Sequence, residues 1–158
     1  MKVVRRILKW SVLVILCLFV IAQFRRPAKT NPAIDASRTL EAHLQVDPAT
    51  AAIFDRSCKD CHSNKTEWPW YSNVAPVSWF VIDHVDEGRG HVNFSEWSQY
   101  ERNQQREILK DICKEVKSGG MPLSSYTPLH PGSKLTADDV KTICDWTNRQ
   151  QATLGARE

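Results

Sequence analysis

Cys58-Lys59-Asp60-Cys61-His62 is the stretch on which the reading of this chain turns. The spacing C-x-x-C-H is that of a c-type haem attachment site: two thiols three residues apart each add to a vinyl group on one porphyrin edge, and the adjacent imidazole binds iron. The same residues in a reducing compartment would also suit half a zinc site or a thiol redox pair. The expected cofactor is one covalent haem c, with Cys58, Cys61 and His62 binding it.

The N-terminus bears on the compartment. From Trp10 to Phe24 the run WSVLVILCLFVIAQF holds fifteen residues without a charge, near the lower end of what spans a bilayer. Lys2, Arg5, Arg6 and Lys9 precede it and Arg25, Arg26 and Lys29 follow, so the positive-inside bias is weak. A cleavable signal peptide is the competing reading, but no small-x-small site follows the run, and Leu16 before Cys17 does not suit a lipoprotein site. Residues 1–26 are therefore read as a signal anchor, a single transmembrane helix with the body outside. The expected location is a bacterial cytoplasmic membrane, single-pass, with the haem domain in the periplasm or extracytoplasmic space.

Six of the 21 basic side chains fall in those first 26 residues, which hold no acidic one; the remaining 132 residues carry 15 basic against 18 acidic. Nothing in the body reads as a nucleic-acid footprint. The partners expected are the membrane and redox proteins that the sequence does not name.

Residues 27–46 mix Pro, Ala and polar side chains and read as a tether with a short helical turn near Ser37–Leu44. The domain is placed at 47–152, with a tail at 153–158. Asp47 suits an N-cap and Pro48 the first helical position, and Ile53, Phe54 and Cys58 share a face, so this helix runs into the motif. The segment Pro76–Glu87 reads as a helix opened by Pro and stopped at Gly88, with Trp79, Phe80, Ile82 and Val85 apolar. A further helix is expected from Ser95 to Lys117, with Trp97, Tyr100, Ile108, Ile112 and Val116 on one stripe, closed by Ser118-Gly119-Gly120. The last follows Leu135, with Thr136 as N-cap and Asp139 three residues on. Every strong periodicity is helical, so the fold class is all-α: a helical domain around one haem, preceded by the N-terminal transmembrane helix.

Trp68, Trp70 and Tyr71 lie in a proline-broken aromatic knot and suit covering the haem faces, though each is equally suited to an ordinary core. Iron has a second axial position. Met121, in Gly119-Gly120-Met121-Pro122, is the candidate, since a loop bracketed by Gly and Pro can aim a thioether at iron; gap-filling core is the plainer role for a Met. His84 or His91 is the alternative sixth ligand. His43 and His130 read as structural or exposed. Cys113 and Cys144 lie on the faces of two core helices and are expected to form a disulfide in an oxidising compartment, with a dithiol switch as the rival.

The order helix, Cys58–His62, Met121-Pro122, then a helix opening at Leu135-Thr136, resembles class I cytochrome c. The stretches CHSNKTEWPWYSNVAPVSW, DHVDEGRGHVNFSEW and GGMPLSSYTPLHP more closely resemble the haem-binding domain family of small membrane-anchored bacterial cytochromes. That resemblance implies covalent haem on Cys58 and Cys61, iron on His62 and a periplasmic body. The function implied is electron transfer with His/Met ligation, a carrier and not an enzyme. The alternatives are a haem-based sensor or binder of NO, CO or peroxide, and, further off, a peroxidase-like activity for which no distal acid–base pair is seen.

Overall fold

The computed structural model describes residues 2–156; Met1, Arg157 and Glu158, which fall in the expected anchor and tail, lie outside the described residues. Seven α-helices are described: α1 Lys2–Gln23, α2 Leu40–His43, α3 Pro48–Ser57, α4 Lys59–His62, α5 Val77–His91, α6 Arg102–Ser118 and α7 Ala137–Gly155. Four short 3-10 turns join them and no strand occurs among the described residues. The all-α expectation holds.

The transmembrane expectation does not. Among the described residues no helix is long and apolar enough to cross a membrane. In α1 the four cations Lys2, Arg5, Arg6 and Lys9 occupy the first two turns, which leaves only Trp10–Gln23 uncharged. Fourteen residues rise about 21 Å, against roughly 30 Å of hydrocarbon. The single-pass membrane location is corrected with it.

The segment read as a tether is built into the body. Asp35 accepts from Ser37 N–H and caps the 3-10 turn Ala36–Arg38, and α2 then buries Leu40 completely, followed by Leu44. Asp47 starts α3 as its cap, its carboxylate accepting from the Thr50 N–H at 3.0 Å, with Pro48 in the first turn. This follows the preference for an acceptor at the cap and a fixed φ just inside.

Two expected boundaries move. The helix from Pro76 does not stop at Gly88 but runs to His91 as α5, because this glycine serves close packing instead of termination. A Cβ at Gly88 would lie 2.9 Å from the carbonyl oxygen of Cys61. The expected Ser95 helix start is also corrected: Phe94–Gln99 is a 3-10 turn kinked at Glu96, and α6 begins at Arg102 under a capping box of Glu101 and Gln104. Gly119 closes α6 in the left-handed conformation at φ 75°, where a side chain would be strained.

Apolar faces of α3, α6 and α7 form the core, with Ile53, Phe54, Leu109, Val116, Ile143, Trp146 and Leu154 buried. Cys113 and Cys144 are joined by a disulfide. Thr136 and Asp139 cap α7 reciprocally, as a capping box should. From this core a line of rings leads to the motif. Phe54 meets Trp146 edge-on at 5.2 Å and Phe94 at 5.2 Å, and Phe94 lies 6.1 Å from the His62 ring.

Candidate functional site

The motif is a single helical turn held from three sides. Cys58 ends α3, its N–H bonded to the Phe54 carbonyl, and α4 starts immediately, with the His62 N–H returning 2.9 Å to the Cys58 carbonyl. Consecutive short helices thus place both thiols and the imidazole within five residues. Lys59 pins the turn outward through ion pairs to Asp55 at 2.6 Å and Glu41 at 2.8 Å. Gly88 of α5 packs on the Cys61 backbone. Arg89, next to it, donates to the Ser63 carbonyl at 2.8 Å, to Thr66 Oγ1 at 2.8 Å, to the Thr30 carbonyl at 2.8 Å and to Asn31 Oδ1 at 3.0 Å. Thr66 in turn donates to the Asp60 carbonyl at 2.7 Å.

His62 is oriented by its Nδ1, which lies 3.2 Å from the Val92 carbonyl. A carbonyl only accepts, so Nδ1 carries the proton and Nε2 keeps its lone pair. Burial draws the His62 pKa below its ordinary value against the pull of the Val92 carbonyl, so the ring is held neutral. A neutral imidazole whose far nitrogen is tied to a backbone carbonyl is the usual arrangement of a metal-binding histidine.

Cys58 and Cys61 are both free thiols. Loss of solvent pushes Cys58 up to about 12 and Cys61 up to about 11. Reactive redox pairs work the other way, with a thiolate stabilised near neutral pH. Protonated thiols of this kind do not suit the redox-pair reading of C-x-x-C.

Beside Cys61 opens a cavity walled by α5, by the turn Trp70–Asn73 and by the loop after α6. Val77, Phe80, Val85, Leu123 and Leu129 give it an apolar lining, and Tyr71, His84, Tyr126 and His130 bring polar tips to its edge. Tyr126 donates to Asp60 Oδ2 at 2.7 Å. Burial, then that carboxylate, raise the Tyr126 pKa, so its proton stays in the bond.

The sequence candidates divide. Cys61, Tyr71 and His84 line the cavity together. Trp70 is 78 % exposed and meets Tyr71 edge-on at 5.9 Å, whereas Trp68 is half-buried; neither lines the cavity. Met121 is half-buried two residues before the lining residue Leu123, at the head of the loop. His91 is exposed, on a different groove with Tyr100 and Arg106. Three residues of the site were not singled out from sequence or were set aside: Asp60, Tyr126 and His130. The four-residue step from Tyr126 to His130 was a weak signal, since it puts both rings on one side of a helical turn.

An oriented neutral imidazole, two free thiols and an apolar cavity thus lie together on an all-helical scaffold. Consistent with this, the chain belongs to the haem-binding domain family, whose pattern matches residues 17–149. No curated protein and no solved structure matches the chain. The donors present suit haem, since His62 Nε2 keeps a lone pair for iron and the cavity beside Cys61 is apolar; Cys58 and His62 themselves lie outside the residues that line it.

Proposed function

We propose that the chain is a mono-haem c-type cytochrome that carries single electrons, with the haem joined covalently to Cys58 and Cys61 and iron held by His62 and Met121. When bound, the haem supplies a one-electron couple at its iron. The chain's own residues attach, orient and enclose. The Cys58 and Cys61 thiols tether the group to a turn that Lys59, Gly88 and Arg89 immobilise. His62 would hold the iron with a fixed ring, because the Val92 carbonyl holds its other nitrogen. Val77, Phe80, Val85 and Leu123 give the cavity an apolar wall, against which a face of the haem would pack. The observation that carries this reading is the His62–Val92 bond beside two free, protonated thiols.

Haem staining of the full chain on a denaturing gel tests it. Stain is expected with the native chain and is lost in the Cys58→Ala/Cys61→Ala double variant; an unstained native chain overturns covalent attachment. Met121→Ala is expected to remove the long-wavelength Met–iron charge-transfer band and lower the potential. An unchanged spectrum passes the sixth position to His84, which lines the cavity. A second reading, a binder of small diatomic ligands, draws on one fact: Met121 stands outside the cavity lining. Carbon monoxide uptake by the reduced native chain, without any substitution, would favour it over the carrier.

A further inference from the structure

The loop after α6 is tied at both ends by different means. At its start the Glu115 carbonyl accepts from the N–H groups of Gly120 and Met121, at 3.0 and 3.2 Å, so Met121 hangs from the end of α6. Beyond it there is no α-helix until α7; the chain makes only the 3-10 turn Thr127–Leu129. At its far end Arg56 and Ser57 of α3 donate to the Gly132 and Ser133 carbonyls at 3.0 and 2.8 Å, and between the two ends the loop's place depends largely on the bonds its own side chains make to the rest of the fold.

Those bonds gather at Tyr126 and His130. The Tyr126 hydroxyl donates to Asp60 Oδ2 at 2.7 Å, and Asp60 lies inside the C-x-x-C turn itself. The other Asp60 oxygen accepts from the Glu67 N–H at 3.1 Å, so the acceptor is fixed. His130 stacks on the Tyr126 ring at 3.7 Å and 11°. Its Nδ1 stands 2.9 Å from the Tyr126 carbonyl, which assigns the proton to Nδ1. Nε2 is then left as acceptor for the Tyr71 hydroxyl at 3.3 Å. One pair of stacked rings therefore fastens the loop to the C-x-x-C turn and to the aromatic turn on the neighbouring cavity wall.

We propose that Tyr126 and His130 form a two-point clamp that acts as a positioning device for the sixth ligand: by fastening the loop to Asp60 and Tyr71, the clamp holds Met121 in place against displacement. This rests on the Met121 ligation proposed above. The reasoning is that of a competition. An external ligand for the sixth position must displace the thioether, and the thioether competes better when its loop is already ordered.

The test uses the full, haem-loaded chain, with carbon monoxide titrated into the reduced protein and absorption recorded. Tyr126→Phe keeps the ring and its stack on His130 but removes the donor to Asp60. Its carbon monoxide affinity is expected to rise about tenfold or more, the scale of a lost bond to a charged acceptor. The charge-transfer band should weaken while haem staining stays unchanged. Placed in a Met121→Ala background, the same substitution should change the affinity less than about twofold, because the clamp then has nothing to hold. A native affinity and band in Tyr126→Phe overturns the clamp, as does an equal shift with and without Met121. A native spectrum in Met121→Ala alone overturns the ligation and the clamp together. A changed spectrum there with a native Tyr126→Phe overturns the clamp alone.

Discussion

The α6–α7 pair and the cavity wall are built by opposite means. The helix pair buries whole faces: Leu109, Ile143 and Trp146 are shut off from solvent, and the Cys113–Cys144 disulfide joins the two elements. Apart from α5, the wall runs from Ser63 to Ala75 and from Gly119 to Leu135, contains no α-helix there and is held by directed polar bonds, among them those of Arg89, Tyr126 and His130. Area burial is spread over many contacts and tolerates small changes of angle, whereas a hydrogen bond is lost with one atom. The division places stability in one part of the chain and the shape of the cavity in the other, so a substitution in either region should move one readout and spare the other.

Removing the disulfide is the largest of these effects on stability. Cys113→Ser with Cys144→Ser opens a loop of 31 residues, and is expected to lower the unfolding free energy by about 3–4 kcal/mol. Denaturant unfolding of the haem-loaded chain measures this, and the absorption spectrum should stay native. A spectral change as large as that of a cavity-wall substitution would break the division. Gly88→Ala probes the junction between the two regions. Its Cβ would meet the Cys61 carbonyl oxygen at 2.9 Å and the Cys61 Cβ at 3.1 Å, so either α5 or the motif turn must shift. The expected loss is about 1–3 kcal/mol of stability, with a changed spectrum or reduced haem staining. A native melt together with a native spectrum would show that the close approach carries no constraint.

The same division explains what was legible in the sequence. Local signals were sound: Asp47-Pro48 and Thr136 with Asp139 start helices as their chemistry dictates, and the two body cysteines outside the motif are bridged. Helix-interior periodicity worked for Ile108, Ile112 and Val116 of α6, since a face is encoded within a few turns, but it also drew in Trp97, in the 3-10 turn before that helix, and Tyr100, which ends that turn. Gly88 misled because a glycine that ends a helix and one that admits a neighbouring backbone look alike in sequence. The apolar run after Lys9 misled by its composition, since the uncharged part of α1 is shorter than a membrane-spanning segment. The cavity was the least legible part: Asp60 and Tyr126 are 66 residues apart, and Tyr71 and His130 are 59 apart. No period links such pairs, and only the folded backbone brings them together.

The smallest expected effect lies at the far end of α3 from the motif. Asp47 accepts from the Thr50 N–H at 3.0 Å and from Thr50 Oγ1 at 3.0 Å, with Arg149 at 3.3 Å beyond. The Thr50 N–H is the main reason its carboxyl is held below the usual carboxylate range. Asp47→Ala removes the cap and should cost about 1 kcal/mol near neutral pH. The sign of the pH dependence follows from the lowered value. The folded state binds the proton less readily than the unfolded chain, so the carboxylate's contribution is fully present above the ordinary pKa of about 3.9 and fades as pH falls through and below it. Denaturant unfolding at about pH 6 and about pH 3 should therefore show the gap between the native chain and Asp47→Ala narrowing in acid. Asp47→Asn, which keeps an acceptor without a charge, should retain most of the cap and show no such narrowing against Asp47→Ala. All three proteins should have the same haem spectrum, because α3 passes its order to Cys58 through buried Ile53 and Phe54 and not through its first turn. A spectrum that moves with Asp47 would show the scaffold and the cavity to be coupled after all.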